Sequence, residues 1–201
     1  VREVVNVLIH PDYPSKDSYD RRISDADISV LTMNESVTYS NYIQPICMPG
    51  FIINAHQTKG FVAGFGSTNK VYPIIPKTIE VSTVELDECY DCCEHSPTIV
   101  SRRSFCGIIP NVNAHATIIK GDSGGGFYAI DPKSTHWTLL GIVSHSLDTT
   151  NSSSLRVFAH ISHFKEFIIN NTEGFVSFPD TYHCRLNDDI DFNKKCDNNK
   201  D

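Results

Sequence analysis

The sequence predicts an all-β fold that ends in a short helix. Seven short segments are apolar throughout or alternate apolar with polar residues, which is the pattern of β-strands. Turn-forming residues bound these segments, and the stretches 49–60 and 67–76 contain the proline, glycine and asparagine residues typical of loops. The predicted strands are 4–9, 28–33, 61–65, 79–86, 127–130, 137–144 and 157–161.

Two segments show a helical pattern instead. Residues 85–93 are predicted to form one short helix. Residues 162–170 are predicted to form an amphipathic terminal helix, and Ser162 is the residue type that suits its N-cap. The apolar face of that helix consists of Phe164, Phe167 and Ile168.

The charge and hydropathy of the chain exclude several kinds of partner. The 201 residues include 17 basic and 24 acidic side chains, which gives a net charge of −7. This balance argues against a nucleic-acid partner, because such a partner requires a basic face. No apolar run approaches the roughly 18 residues of a membrane span, so no membrane segment is expected. The length suits one domain or two packed halves.

Cysteines and glycosylation sequons indicate an oxidising, secretory compartment. The chain has seven cysteines and three sequons, which begin at Asn34, Asn151 and Asn170. Each sequon alone is a weak signal, but together with the cysteines they predict a secreted, extracellular glycoprotein.

The most informative segment for function is residues 121–125, which read Gly-Asp-Ser-Gly-Gly. A serine hydroxyl is a poor nucleophile until a base takes its proton and backbone N–H groups receive the oxyanion. Glycines beside the serine let the main chain approach a substrate and direct those amides. The alternative is a glycine-rich turn with an Asx-type hydrogen bond.

A second motif lies upstream of this segment. Residues 25–31 read Asp-Ala-Asp-Ile-Ser-Val-Leu, and residues 43–49 read Ile-Gln-Pro-Ile-Cys-Met-Pro. With the glycine-rich segment, they resemble the chymotrypsin-like (S1) serine protease family, in which the catalytic His, Asp and Ser follow in that order. The resemblance implies that Ser123 is the nucleophile and that Asp27 orients the base. Asp25 competes for the second role, but Asp27 directly precedes the apolar run.

The resemblance also implies the architecture, a double β-barrel of the chymotrypsin type. Residues 1–48 would form the second half of the first barrel, and residues 61–170 the complete second barrel with the C-terminal helix. Residues 1–170 would then be an incomplete serine protease domain. Residues 178–201 are polar and rich in Asn and Asp, and they are predicted to be a loosely packed or disordered extension.

The catalytic histidine is expected upstream of Val1, which would make this sequence a fragment of a longer protein. His10 belongs to a loop that follows that position and is predicted to be a surface residue. The remaining histidines all come after Asp27, which is the wrong side for this fold. In the family, the amino terminus freed by activation inserts beside the acid next to the nucleophile, which here is Asp122.

The resemblance implies one disulfide in the second barrel. Cys106 is expected to pair with Cys89, Cys92 or Cys93. Zinc binding by the last three is the alternative, because Cys-x-x-Cys suits zinc, but no second ligand pair follows at finger-like spacing.

The other cysteines are expected to act at the ends of the domain. Cys184 and Cys196 are expected to close the C-terminal tail. Cys47 is the odd one out, and its counterpart in the family often ties the protease to an upstream segment or light chain.

Two disulfides that are usual in the family are absent from this sequence. Gly60 and Ala129 stand at the two ends of one bridge. Ile119 and the loop 147–154 stand at the two ends of the other. Both bridges are lost as whole pairs, which supports the alignment.

The substrate pocket is also assigned through the resemblance. Counting back from the nucleophile places Thr117 at the pocket base, where trypsin-like members carry aspartate. Ser144, His145 and Ser146 match the strand that lines the pocket and binds the substrate backbone. Arg156 stands where most members have a glycine; it either faces the pocket, as in acid-specific granzymes, or turns outward into solvent.

The implied function is that of a secreted serine endopeptidase, with the features of a regulatory, cascade-type protease. Peptide hydrolysis would proceed through an acyl-enzyme on Ser123, and the amides of Gly121 and Ser123 would form the oxyanion hole. Protein or peptide substrates are implied, with no cofactor and no metal. The rival interpretation is a non-catalytic protease homologue that acts as a binding or adaptor module.

Overall fold

The computed structural model describes residues 1–14, 23–49, 58–66, 75–91, 99–110, 118, 121–131, 135–147 and 155–172. Several residues discussed above lie outside these ranges, as does the extension 178–201. They are Cys92, Cys93, Thr117, Ile119, Asn151, Cys184 and Cys196.

Ten strands and short helical segments make up the described chain. The strands are β1 (Val4–Ile9), β2 (Ile23–Ser24), β3 (Ser29–Met33), β4 (Lys59–Gly64), β5 (Lys77–Val84), β6 (Ile99–Val100), β7 (Ser104–Ile108), β8 (Gly126–Ile130), β9 (Trp137–Leu147) and β10 (Leu155–His160). The helices are α1 (Leu86–Asp91), a 3₁₀ turn at Ile161–Phe164 and α2 (Lys165–Asn170).

Six strands close into a barrel in the order β10, β7, β5, β4, β8 and β9. Every neighbouring pair is antiparallel. Closure leaves the ladder without an unpaired edge. Alternate side chains of β4 and β5 are buried, as the period of two in their sequences requires.

The barrel core is built around three phenylalanines. Phe105, Phe127 and Phe158 have ring centroids 5.0 to 5.5 Å apart. Phe127 and Phe158 are fully buried, and each buried ring of this kind stabilises the fold by roughly 1.5–3 kcal/mol. Around them pack the aliphatic core residues Val62, Ile79, Val81, Ile109, Ile118, Ala129, Leu140 and Val143.

The chain before the barrel forms a small antiparallel sheet of β1 and β3. Its apolar side chains are exposed on both faces: adjacent residues of a strand point to opposite sides, and both Val7 and Leu8, the latter 38% exposed, are accessible. Val5 is 60% exposed, Val7 is 54% exposed, and Leu31, which pairs with Val7, is 55% exposed.

A second apolar cluster joins this N-terminal part to the terminal helix. Ala26 and Ile28 come from the segment before β3, and they pack with Ala159 of β10. The 3₁₀ turn and α2 supply Ile161, Phe164 and Ile168. A short parallel pairing of β2 with β6 adds a further contact between the two parts of the chain.

The prediction of an all-β chain with a terminal helix is confirmed. The seven predicted strands correspond to β1, β3, β4, β5, β8, β9 and β10; β1 has the predicted bounds, and no end of the others shifts by more than three residues. The short strands β2 and β6 and the five-residue strand β7 were not predicted.

The predicted N-cap of the terminal helix is wrong. Ser162 lies inside a 3₁₀ turn that begins at Ile161, and its backbone N–H donates to His160 Nδ1 at 3.3 Å. The imidazole of His160 therefore caps the turn.

Candidate active site

The segment around Ser123 is a glycine turn held against β9. Ser123 is exposed, and Gly124 has a φ of 84°, a left-handed conformation that favours glycine. Gly124 N–H donates to the Val143 carbonyl at 2.8 Å, and Val143 N–H donates to the Gly125 carbonyl at 2.8 Å. These two bonds fix the turn to the barrel while leaving the serine hydroxyl accessible.

Two amides of the turn have no protein acceptor in the part of the chain that the structure describes. Within the described ranges, neither Gly121 N–H nor Ser123 N–H donates to a protein group. Gly121 has a φ of 104°, which few side-chain-bearing residues adopt. The arrangement offers two main-chain donors beside an accessible serine, as an oxyanion site requires.

Asp122 turns inward, in the direction opposite to Ser123. It is 6% exposed, and its Oδ1 accepts a hydrogen bond from Gly66 N–H at 2.8 Å. The carboxylate lies directly on Gly64, where a Cβ would come within 2.1 Å of Oδ1. Glycine at residue 64 is therefore necessary for the carboxylate to occupy this place.

Asp27 is bonded to the same strand, β9, that holds the serine turn. Its Oδ2 accepts a hydrogen bond from the Ser144 hydroxyl at 2.5 Å. Ser144 directly follows Val143, the residue that anchors the serine turn. The structure thus brings the predicted carboxylate and the predicted nucleophile to adjacent residues of one strand.

Asp25 does not contact Ser144 but pairs with Arg103 and Ser101. The Arg103 guanidinium contacts both Asp25 carboxylate oxygens, with the Nε to Oδ1 distance at 3.0 Å, and the Ser101 hydroxyl donates to Oδ1 at 2.6 Å. Burial raises the pKa of the Asp25 carboxyl, but the hydrogen bonds from Arg103 and Ser101 outweigh burial and hold it below its ordinary value. Of the two candidates, only Asp27 faces Ser144.

Arg103 was not found from the sequence, although it connects three parts of the fold. Besides Asp25, it contacts Asp12 at 2.8 Å through Nη1. Its guanidinium carbon lies 5.4 Å from the centroid of the Phe164 ring. The partners lie 78 and 91 residues away in sequence, so no local pattern could have indicated them.

His145 extends the contact between Asp27 and Ser144. The His145 Nδ1 atom lies 3.0 Å from Ser144 Oγ. An ionised carboxylate only accepts, so Ser144 donates its one proton to Asp27 and accepts from His145 Nδ1–H. Burial lowers the pKa of His145 below its ordinary value, and the charge of Asp27 offsets part of that effect.

His10 is not the surface residue that the sequence predicted. Its side chain is only 11% exposed. The ring packs on Phe164 and Phe167, with centroids 5.3 and 4.6 Å away, and its Nδ1 accepts from Asp12 N–H at 3.1 Å. The helix that covers His10 is distant in sequence, and for that reason the loop alone suggested exposure.

Arg156 is directed at the chain that enters the serine turn. Its Nε and Nη2 atoms donate to the Ile118 carbonyl at 3.1 and 2.7 Å. Ser146, which pairs with Arg156 across β9 and β10, is exposed. Thr117, the predicted pocket base, lies outside the described residues.

One disulfide is present in the described chain. It joins Cys89 of α1 to Cys106 of β7, one of the three pairings that the sequence left open. This bridge removes Cys89 from the alternative zinc site. Cys47 remains a thiol beside β9, where its N–H donates to the Trp137 carbonyl at 3.3 Å and its carbonyl accepts from Leu139 N–H at 2.9 Å.

Comparison with known proteins decides the family. The sequence profile of the trypsin family matches residues 1–168. The chain belongs to the trypsin family. It is 25% identical over 174 residues to mouse (Mus musculus) transmembrane protease serine 11G, an alignment that covers 85% of this chain and 39% of that protein. It is 30% identical over 144 residues to mouse complement C1r-B subcomponent, which covers 70% of this chain and 20% of that protein.

Membership of this chymotrypsin-like family confirms the resemblance and the fold class. The closed six-stranded barrel followed by a short helix is the chymotrypsin-type architecture that the sequence predicted. The chain spans well under half the length of the relatives it matches. None of the helices in the described part of the chain is long and apolar enough to span a membrane.

Proposed function

We propose that the protein is a serine endopeptidase in which Ser123 attacks the peptide carbonyl. One observation supports this most strongly: Asp27, through Ser144, and the turn of Ser123, through Val143, are bonded to consecutive residues of β9. Catalytic groups held on one strand keep their separation, as covalent catalysis by an activated serine requires.

In the proposed reaction, a histidine base takes the Ser123 proton as Oγ bonds to the substrate carbonyl carbon. The carbonyl oxygen becomes an oxyanion, which the Gly121 and Ser123 amides bind. The histidine then protonates the leaving amine, and an acyl-enzyme remains. Water then attacks the acyl-enzyme with the histidine again acting as the base, and the acid product is released as Ser123 regains its proton. Asp27 holds the histidine in the required tautomer and stabilises its charged form.

The histidine in this proposal comes from a segment outside the 201 residues. Among the described residues, Ser144 is the hydrogen-bond partner of the Asp27 carboxylate, and no imidazole bonds to it directly. A chain without the base should be inert, because loss of one triad member leaves only about 10³–10⁴-fold catalysis over water. In the same scheme, Asp122 would receive the amino terminus that activation creates.

We propose that the pocket accepts protein or peptide substrates without a basic preference. Thr117, at the proposed pocket base, carries no negative charge to pair with Lys or Arg. Ser144, His145, Ser146 and Arg156 would form the walls. One of the relatives is named as a protease, and this supports a protein substrate.

We also propose a secreted, regulatory setting. Asn34 and Asn170 are exposed, as glycan attachment requires. Cys47 would link the protease domain, residues 1–170, to an upstream segment or light chain, with residues 178–201 as a C-terminal extension. The greater length of the relatives supports further segments of that kind.

The second candidate function is a non-catalytic homologue that keeps the fold as a binding module. The observation that favours it is Arg156, which stands where most members of the family have a glycine and whose guanidinium is bonded to the Ile118 carbonyl. A side chain of this size in the pocket wall would leave less room for a substrate side chain, and the protein would then bind a partner without cleaving it.

A fluorophosphonate probe decides between the two functions. In the full-length, activated protein, the probe should label Ser123, and Ser123→Ala should abolish labelling. The 201-residue chain alone should not be labelled. A folded, full-length protein that resists labelling would support the binding module, and strong labelling of the isolated chain would refute the external base.

A further inference from the structure

Arg156 is anchored on both sides within the barrel. It lies in β10, where it pairs with Gly107 of β7 and with Ser146 of β9. Its side chain is half-buried, and Nη1 donates to the Leu155 carbonyl at 3.1 Å. A guanidinium held in this way is a rigid donor group, because its planar fork sets the direction of every N–H.

The group that receives this fork is the main chain at Ile118. Ile118 is 3% exposed, and its carbonyl accepts from both Nε and Nη2 of Arg156. Burying a carbonyl without a hydrogen-bond partner costs free energy. The two bonds from Arg156 therefore stabilise the position of the main chain at Ile118. Ile118 comes three residues before Gly121, the first proposed oxyanion donor.

No covalent link joins these two parts of the chain. Residues 117–121 read Thr-Ile-Ile-Lys-Gly, and residues 147–156 contain no cysteine. A disulfide is therefore impossible between the approach to the serine turn and the hairpin of β9 and β10. The fork of Arg156 connects the same two segments.

We propose that Arg156 is a positioning residue that holds the entrance of the serine turn against β10. The effect of Arg156 on catalysis rests on the proposed function of Ser123, whereas its effect on the position of the main chain does not. In this role the guanidinium holds the protein's own main chain and does not recognise a substrate side chain. An acidic substrate would have to displace a 2.7 Å bond and leave the Ile118 carbonyl unpaired.

Hydrogen exchange on the full-length protein tests the positioning role without requiring activity. Arg156→Met keeps an unbranched side chain and removes every side-chain donor. We expect the amides of Gly124 and Gly125, which donate to the Val143 and Asp122 carbonyls, to exchange about tenfold faster, the ratio that follows from one lost hydrogen bond of ordinary strength. Arg102→Met, at an exposed arginine, should leave them unchanged.

A conservative variant keeps the test valid if Arg156→Met unfolds. Arg156→Lys retains the charge but not the fork, so we expect faster exchange at Gly124 and Gly125 with unchanged exchange in β4 and β5. Unchanged exchange of the serine turn in a folded variant would overturn the proposal.

Kinetics of the activated protein separate positioning from substrate recognition. We expect Arg156→Met to lower kcat about tenfold, with KM and the side-chain preference of a peptide library unchanged. A preference for Asp or Glu that disappears in the variant would overturn the proposal by assigning the guanidinium to the substrate. If the wild type is inactive, the proposed endopeptidase function fails, while the exchange experiment still decides the role of Arg156.

Discussion

Gly64→Ala should disable the serine turn without touching a proposed catalytic residue. The added Cβ would lie 2.1 Å from Oδ1 and 2.9 Å from Cγ of Asp122, so the buried carboxylate must move. Its 2.8 Å bond from Gly66 N–H is then lost. Overpacking costs about 1–3 kcal/mol and a hydrogen bond to a charged group about 1.5–3 kcal/mol, so we expect the free energy of unfolding to fall by about 3–5 kcal/mol.

Two assays on the full-length, activated protein measure the effect. Urea unfolding of the protease domain gives the free energy, and the rate of fluorophosphonate labelling reports the geometry at Ser123. Gly107→Ala is a matched control, because its Cβ would lie 2.5 Å from a Val81 methyl group in the core, away from the carboxylate. It should lower stability and leave the labelling rate of the folded protein near wild type. Normal labelling and stability in Gly64→Ala would refute the account of Asp122.

Three further predictions follow from other contacts of the fold. Arg103→Met should lower the free energy of unfolding by about 2–3 kcal/mol in urea, because it removes the charged partner of the half-buried Asp25, whereas Arg102→Met should not; an equal effect of both would contradict this. Because the pKa of Asp25 is lowered, its stabilising contribution should be present at neutral pH and lost as the pH falls through that lowered pKa. NMR titration should give His145 a pKa below its ordinary value, lower still in Asp27→Asn, since the offsetting charge is removed; a higher value in the variant would contradict the contact. The 201-residue chain should associate in size-exclusion chromatography through the exposed apolar sheet of β1 and β3, and a sharp monomeric peak would count against this.

The elements predicted correctly have signals that are local in the sequence. Apolar alternation in β4, β5 and β8 is visible within a few residues, and the motif at residues 121–125 indicates a nucleophilic serine within five residues. β7 was missed because Cys106 and Gly107 interrupt its apolar pattern. Gly107 suits the strand because Val81 fills the space of its missing side chain, with only 2.5 Å between a Cβ there and the Val81 methyl.

The parts of the site that the sequence did not predict depend on contacts between distant segments. The sequence favoured Asp27 over Asp25 because Asp27 precedes the apolar run, but it did not predict the Asp27 partner Ser144, which is 117 residues away. Arg103, which occupies Asp25, has no motif of its own. The sequence predicted Ser162 as the cap, but His160 caps the turn because the 3₁₀ turn begins directly after β10.

The most direct test of the proposed site compares the two aspartates in the full-length, activated protein. Asp27→Asn should lower kcat by about 10⁴, because the histidine base would lose its orienting carboxylate. Asp25→Asn should weaken the contact with Arg103 and change kcat less than about tenfold, because Asp25 faces no catalytic group. Equal losses in the two variants, or the larger loss in Asp25→Asn, would contradict the assignment of Asp27.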